Sequence, residues 1–125
     1  MSLAISPVLA LALLLFPMPH AAAREAAMAL PEIARAQLPP EGREVLAAVR
    51  NGGPFRYDRD GVVFGNRERV LPTKPRGFYR EYTVRTPGVK NRGARRIVCG
   101  GTVPTAPEEC FYSSDHYQSF QRIRE

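Results

Sequence analysis

A single clear helix signal is followed by short strand signals separated by Pro and Gly turns, and this order limits the folds open to the chain. Pro39-Pro40 precedes a helical stretch with Glu41 and Glu44 in its first turn, which suits the positive end of a helix dipole. Val45, Leu46 and Val49 form its apolar stripe, Arg50 falls in the last turn, and Asn51-Gly52-Gly53 supplies the stop. Residues 78–85, 95–100 and 109–113 are rich in β-branched or aromatic residues and read as strands, with a last short strand over 119–124. Pro87-Gly88 marks one turn between them, and residues 100–107 mark another. Strands joined by short connections pair antiparallel. The expected class is therefore α+β, one main α-helix packed on a small antiparallel β-sheet. The 125 residues suffice for one such domain.

The N-terminus reads as an address. Residues 8–16 are a nine-residue apolar run, too short for a bilayer that needs about 20 residues. Pro17 and Pro19 break the run, and Ala21-Ala22-Ala23 offers the small residues of a cleavage site. Residues 1–23 are thus expected to be a secretory signal peptide, and the product to be secreted and extracellular. Residues 24–37 are Ala-rich and read as a loose leader or a short helix, ahead of a main domain over 38–125. Removal of the signal takes His20 with it and leaves His116 as the lone histidine. With two Cys beside it, a four-ligand zinc site cannot be built, and no metal is expected. Export favours a disulfide between Cys99 and Cys110 over two free thiols. It would close a loop of 12 residues (110 − 99 + 1), for which chain entropy gives roughly 3 kcal/mol.

Charge narrows the partner. The chain carries 18 Lys+Arg against 12 Asp+Glu, a formal +6, and 16 of the 18 basic residues are Arg. Arg grips phosphate with a planar fork, and the basic residues concentrate between Arg67 and Arg96. Tyr57, Phe64, Phe78, Tyr79, Tyr82 and Tyr117 interleave with them, a mixture common in single-strand nucleic acid binding. A high-Arg composition or a general polyanion binder reads the same way. The charge says polyanion and no more. No Gly-rich phosphate loop or dinucleotide fingerprint is present, which excludes P-loop, kinase and Rossmann readings.

Five segments carry the chemistry: Leu38-Pro39-Pro40-Glu41, the stretch from Asp60-Gly61-Val62-Val63-Phe64-Gly65 to Asn66-Arg67-Glu68, Glu81-Tyr82-Thr83-Val84, Arg92-Gly93-Ala94-Arg95-Arg96-Ile97, and Asp115-His116-Tyr117. In this order and spacing they resemble the bacterial guanyl-specific ribonucleases, the family that includes barnase. The resemblance covers residues 38–125 and implies the microbial ribonuclease fold. It implies Glu81 as the general base at the ribose 2′-hydroxyl and His116 as the general acid at the departing 5′-oxygen. Arg92 and Arg96 correspond to the pair that holds the scissile phosphate. Asn66, Arg67 and Glu68 correspond to the guanine-reading loop, flanked by the aromatic rings of Phe64 and Tyr117. It further implies single-stranded RNA as substrate, no cofactor, a monomer, no membrane association once the signal is gone, and a barstar-like acidic inhibitor as partner.

Each role has a plain physical counterpart beside a blander one. Alternation along 78–85 puts Tyr79, Glu81 and Thr83 on one face of a strand, with Tyr82 and Val84 towards the core. A carboxylate in mid-strand on an open face serves either as a base or as a cross-strand partner for an Arg. Arg92 and Arg96 flank a turn into the next strand, where they form either a phosphate clamp or a solvated basic rim. Glu68 is either an acceptor for the guanine N1–H and N2–H or a loop charge paired with a nearby Arg. Gly65 has no side chain, so any contact it makes is through its backbone. Both Cys lie in one hairpin, whereas some relatives join their chain ends. Two alternatives to the enzyme are a non-catalytic secreted RNA- or polyanion-binding module and an antibacterial ribonuclease toxin.

Overall fold

The protein was described from a computed structural model that covers residues 2–4 and 29–125. The apolar run, the Ala-rich cleavage segment and residues 24–28 of the expected leader lie outside them. Strand β1 (Glu32–Ala34) leads through a single 3-10 turn (Arg35–Gln37) to helix α1 (Pro40–Asn51). Strands β2 (Val62–Val63), β3 (Tyr79–Thr83), β4 (Arg96–Gly100), β5 (Glu109–Ser113) and β6 (Gln121–Arg124) follow. All six strands join one sheet in the order β1-β6-β5-β4-β3-β2.

Helix α1 starts and stops where local chemistry requires. Pro40 occupies the first turn, where a missing N–H costs nothing, and Glu41 lies beside the exposed N–H groups. Gly52 ends the helix in a left-handed conformation at φ 74°, and its N–H donates to Val49 O at 3.2 Å. Leu46 and Val49 are buried against Tyr82, Val84, Ile97, Cys99 and Tyr112 of the sheet. Each large apolar side chain buried in this way contributes about 1.5–3 kcal/mol. The Cys99–Cys110 disulfide is formed, and the two residues stand directly opposite each other on β4 and β5.

Three expectations change. The sheet is mixed, because β1 runs parallel to β6 with Ile33 opposite Ile123. Pairing of β1 with β6 also replaces the leader or short helix over 24–37: its described part holds the edge strand and the 3-10 turn, and the sheet takes in residues before 38. Thirdly, the face of β3 that bears Glu81 is not open. Leu71, Tyr79, Val98, Phe111 and Phe120 form a second core there. The Pro-rich stretch before β3 folds back over the sheet, held by the Tyr79 hydroxyl donating to Pro72 O at 2.5 Å. Tyr79 and Tyr82 are thus core residues on opposite faces of β3, not stacking platforms for bases. Burial also holds both phenols above the usual tyrosine range, so they stay neutral.

Candidate functional site

The cover over the second core is incomplete, and the gap is a cleft of about 450 Å³. Phe64, Gly65, Asn66, Arg67 and Glu68 line one wall, and His116 and Tyr117 line the other. Arg59, Val70, Gln118 and Phe120 complete the lining. No spacing rule pointed to these four, because loop folding alone brings them there.

The first wall is a loop whose shape is set by Asn66. Its side chain donates to Leu71 O at 2.9 Å and accepts from Leu71 N–H at 3.1 Å. Asn66 and Arg69 both take the left-handed conformation, at φ 50° and 55°. The Asn66 amide is consumed in bracing the loop, which leaves the backbone of the loop to face a ligand. Glu68 is exposed and makes no ion pair among the described residues, so the paired-charge reading does not hold for it.

The second wall is the turn after β5. Asp115 Oδ1 accepts from the Ser113 hydroxyl and from Ser119 N–H, each at 2.9 Å. The Ser119 hydroxyl donates to Asp115 Oδ2 at 2.5 Å. These bonds hold the Asp115 carboxyl below the usual carboxylate range, the Ser119 hydroxyl foremost. The staple forces His116 and Tyr117 into left-handed conformations at φ 55° and 72°, and presents both at the cleft. His116 N–H donates to Ala94 O at 2.9 Å, which ties this turn to the loop between β3 and β4. Asp115 stood in the motif without an assigned role; holding this turn is what it does.

Glu81, Arg92 and Arg96 form a connected group that adjoins the cleft through two of its lining residues, Tyr117 and Arg59. Glu81 is only 7% exposed, and its Oε1 lies 3.7 Å from Arg92 Nη2 and 4.0 Å from Arg59 Nε. Arg92 is steered by Thr83, whose Oγ1 accepts from Arg92 Nε at 3.1 Å and from Nη2 at 2.9 Å. Arg96 is buried, with Nη1 donating to Gly93 O at 3.0 Å and Arg95 O at 2.8 Å. Gly93 sits at φ 63° with the Thr86 hydroxyl only 2.7 Å from where a Cβ would stand, so glycine is required to close this loop. Arg96 Nε donates to the Tyr117 hydroxyl at 3.1 Å. Burial and the nearby Glu81 carboxylate raise the Tyr117 phenol above its ordinary range, which keeps it neutral.

Phe64 and Tyr117 meet at the cleft. They stack on each other, centroids 5.1 Å apart at 25°. Electrostatics favours a polyanion here: residues 56–96 hold 12 basic and 4 acidic side chains, net +8, while the rest of the chain holds 6 and 8, net −2.

The ribonuclease family model matches residues 21–124. Guanyl-specific ribonuclease Sa of Kitasatospora aureofaciens is 51% identical over 86 residues, which is 69% of this chain and 85% of that relative. Guanyl-specific ribonuclease St of Saccharopolyspora erythraea is 46% identical over 90 residues, 72% of this chain and 84% of the relative. The crystal structure of ribonuclease Sa2 with guanosine-2′-cyclophosphate matches at a TM-score of 0.69 and 47% identity, over 77% of this chain and 97% of that one.

Proposed function

The chain belongs to the bacterial guanyl-specific ribonuclease family, and from that premise we propose how its residues divide the work. It is a secreted endoribonuclease that cuts single-stranded RNA on the 3′ side of guanosine. Glu81 takes the proton of the guanosine 2′-hydroxyl as that oxygen attacks phosphorus. The P–O5′ bond breaks, and His116 protonates the departing oxygen to leave a 2′,3′-cyclic phosphate. The two residues then exchange roles: water attacks, the P–O2′ bond breaks, and a 3′-phosphate remains. Arg92 and Arg96 hold the phosphate oxygens, whose charge grows in the transition state. No step calls for a metal, and EDTA should leave the rate unchanged.

The observation that carries this reading is the Tyr117 hydroxyl. It accepts from Arg96 and lies within the influence of Glu81, while its ring forms a wall of the cleft that holds Glu68 and His116. A base against Glu68 is therefore continuous with a phosphate at Arg96. Digesting an oligoribonucleotide that contains one guanosine, with EDTA present, tests the proposal. Guanosine 2′,3′-cyclic phosphate ends followed by 3′-phosphate ends are expected. Intact oligonucleotide, bound but uncut, would leave a non-catalytic binding module.

Guanine is read by the 64–68 loop. The free Glu68 carboxylate accepts from N1–H and N2–H, the backbone at Asn66 and Arg67 donates to O6, and the outer face of Phe64 or Tyr117 stacks on the ring. Adenine offers Glu68 an unprotonated N1, an unpaired polar contact. Glu68→Gln loses a charge-assisted bond, about 1.5–3 kcal/mol, and cuts the preference for GpN over ApN by roughly 10- to 150-fold in kcat/KM. Equal wild-type rates on GpN and ApN would rule out guanine readout. The basic surroundings of the cleft suit an acidic inhibitor protein.

A further inference from the structure

Arg59 lines the cleft with Phe64, Glu68, His116 and Tyr117, and it stands one residue before the second of the five motif segments. Its Nε lies 4.0 Å from Glu81 Oε1. The base is therefore beside it, and the acid lies in the same cleft. We propose that Arg59 is a third guanidinium on the scissile phosphate, a catalytic residue beside Arg92 and Arg96; this rests on the ribonuclease function above.

The backbone of Arg59 is tied to the strand that carries Glu81. Gly61 N–H donates to Glu81 O at 2.8 Å, and Asp60 Oδ1 accepts from Thr83 N–H at 2.7 Å. Asp60 N–H on Tyr57 O at 3.0 Å and Val62 N–H on Arg59 O at 3.2 Å close the turn. The side chain beyond this anchor braces nothing. It is 64% exposed and donates no hydrogen bond among the described residues. Arg92 and Arg96 differ, for Thr83 holds the first, and the Gly93 and Arg95 carbonyls hold the second. Arg59 keeps its N–H groups for a ligand.

Charge balance gives those groups a use. Three guanidiniums, Arg59, Arg92 and Arg96, gather around one carboxylate, Glu81, and the neutral Tyr117 hydroxyl. As the P–O2′ bond forms, the 2′-hydroxyl proton passes to Glu81, which becomes a neutral acid. The phosphate meanwhile passes from a single negative charge to the double charge of a phosphorane. The partner of Arg59 thus moves from the carboxylate to the equatorial oxygens. An interaction that strengthens in this way lowers the barrier and shows in kcat. If Arg59 only accompanied the Glu81 carboxylate, its removal would not slow proton uptake by that group.

The test measures kcat on GpA, and the binding of guanosine and of guanosine 3′-phosphate, in wild type, Arg59→Ala and Arg59→Lys. The dianionic 3′-phosphate stands in for the phosphorane. Arg59→Ala should lower kcat by about 10- to 150-fold, the worth of a hydrogen bond to a charged group. It should weaken guanosine 3′-phosphate by about 10-fold or more and leave guanosine, which has no phosphate, at wild-type affinity. Arg59→Lys keeps the charge without the fork and should fall between. Guanosine is the internal control for folding, since a damaged cleft would lose both ligands alike. Wild-type or faster turnover in Arg59→Ala, or equal weakening of both ligands, would overturn the assignment while leaving the ribonuclease intact. Failure of the wild type to cut GpA would instead overturn the ribonuclease reading, and this role with it.

Discussion

His116→Ala and Glu81→Ala are each expected to lower kcat on a GpN dinucleotide by about 10²–10⁴-fold, the usual worth of a positioned acid or base. Neither loss is a folding defect in disguise. His116 is exposed, and its place is set by backbone: its N–H binds Ala94 O, and Asp115 staples the turn. Because His116 sits at φ 55°, His116→Asn is the better-matched control, since Asn tolerates that conformation. Glu81 is buried between two guanidiniums, so Glu81→Ala leaves Arg92 without its carboxylate. Arg92 keeps its two bonds to Thr83, and Glu81→Gln preserves the shape while removing the basic oxygen. Turnover and thermal unfolding measured side by side separate chemistry from stability. Wild-type turnover in either His116 variant would end the assignment of the general acid.

How much of this was legible depends on what each element's position is made of. Helix α1 could be read almost to the residue because Pro40 and Gly52 impose local backbone rules at its ends. Strands β3, β4 and β5 were visible because β-branched and aromatic runs sit between turn residues. The parallel pairing of β1 with β6 was not, since Ile33 and Ile123 meet across the length of the domain and leave no local trace. The two-residue β2 is too short for any period to register. Alternation correctly split Tyr79 from Tyr82 but mistook one side for solvent, because both faces of this strand are buried. That error mattered for the site: Glu81 was expected on an open surface and is instead buried, next to the cleft residues Arg59 and Tyr117. The motif residues Phe64 to Glu68, His116 and Tyr117 do come together in that cleft. Arg59 beside Glu81 and Thr83 beneath Arg92 were illegible, as side-chain contacts between loop and strand follow no spacing.

Arg96→Ala should cost about 10²–10³-fold in kcat, the effect of removing one preorganised donor of developing negative charge. Arg96 is 2% exposed, yet no carboxylate among the described residues lies within ion-pair distance of it. Its partners are the carbonyls of Gly93 and Arg95 and the neutral Tyr117 hydroxyl, with the Tyr117 ring 5.8 Å from the guanidinium carbon. Neutral acceptors satisfy the hydrogen bonds of a buried cation without cancelling its charge. A phosphate entering the cleft therefore meets a positive field already paid for in the folding of the loop. Truncation also strips the Gly93 and Arg95 carbonyls of their donor, so stability should fall by about 1–3 kcal/mol. Arg96→Lys separates the two effects. It keeps the charge but not the fork, so it should recover much of the stability while turnover stays well below wild type. Turnover equal to wild type in Arg96→Lys would mean that a point charge suffices, and the two-donor clamp would have to be abandoned.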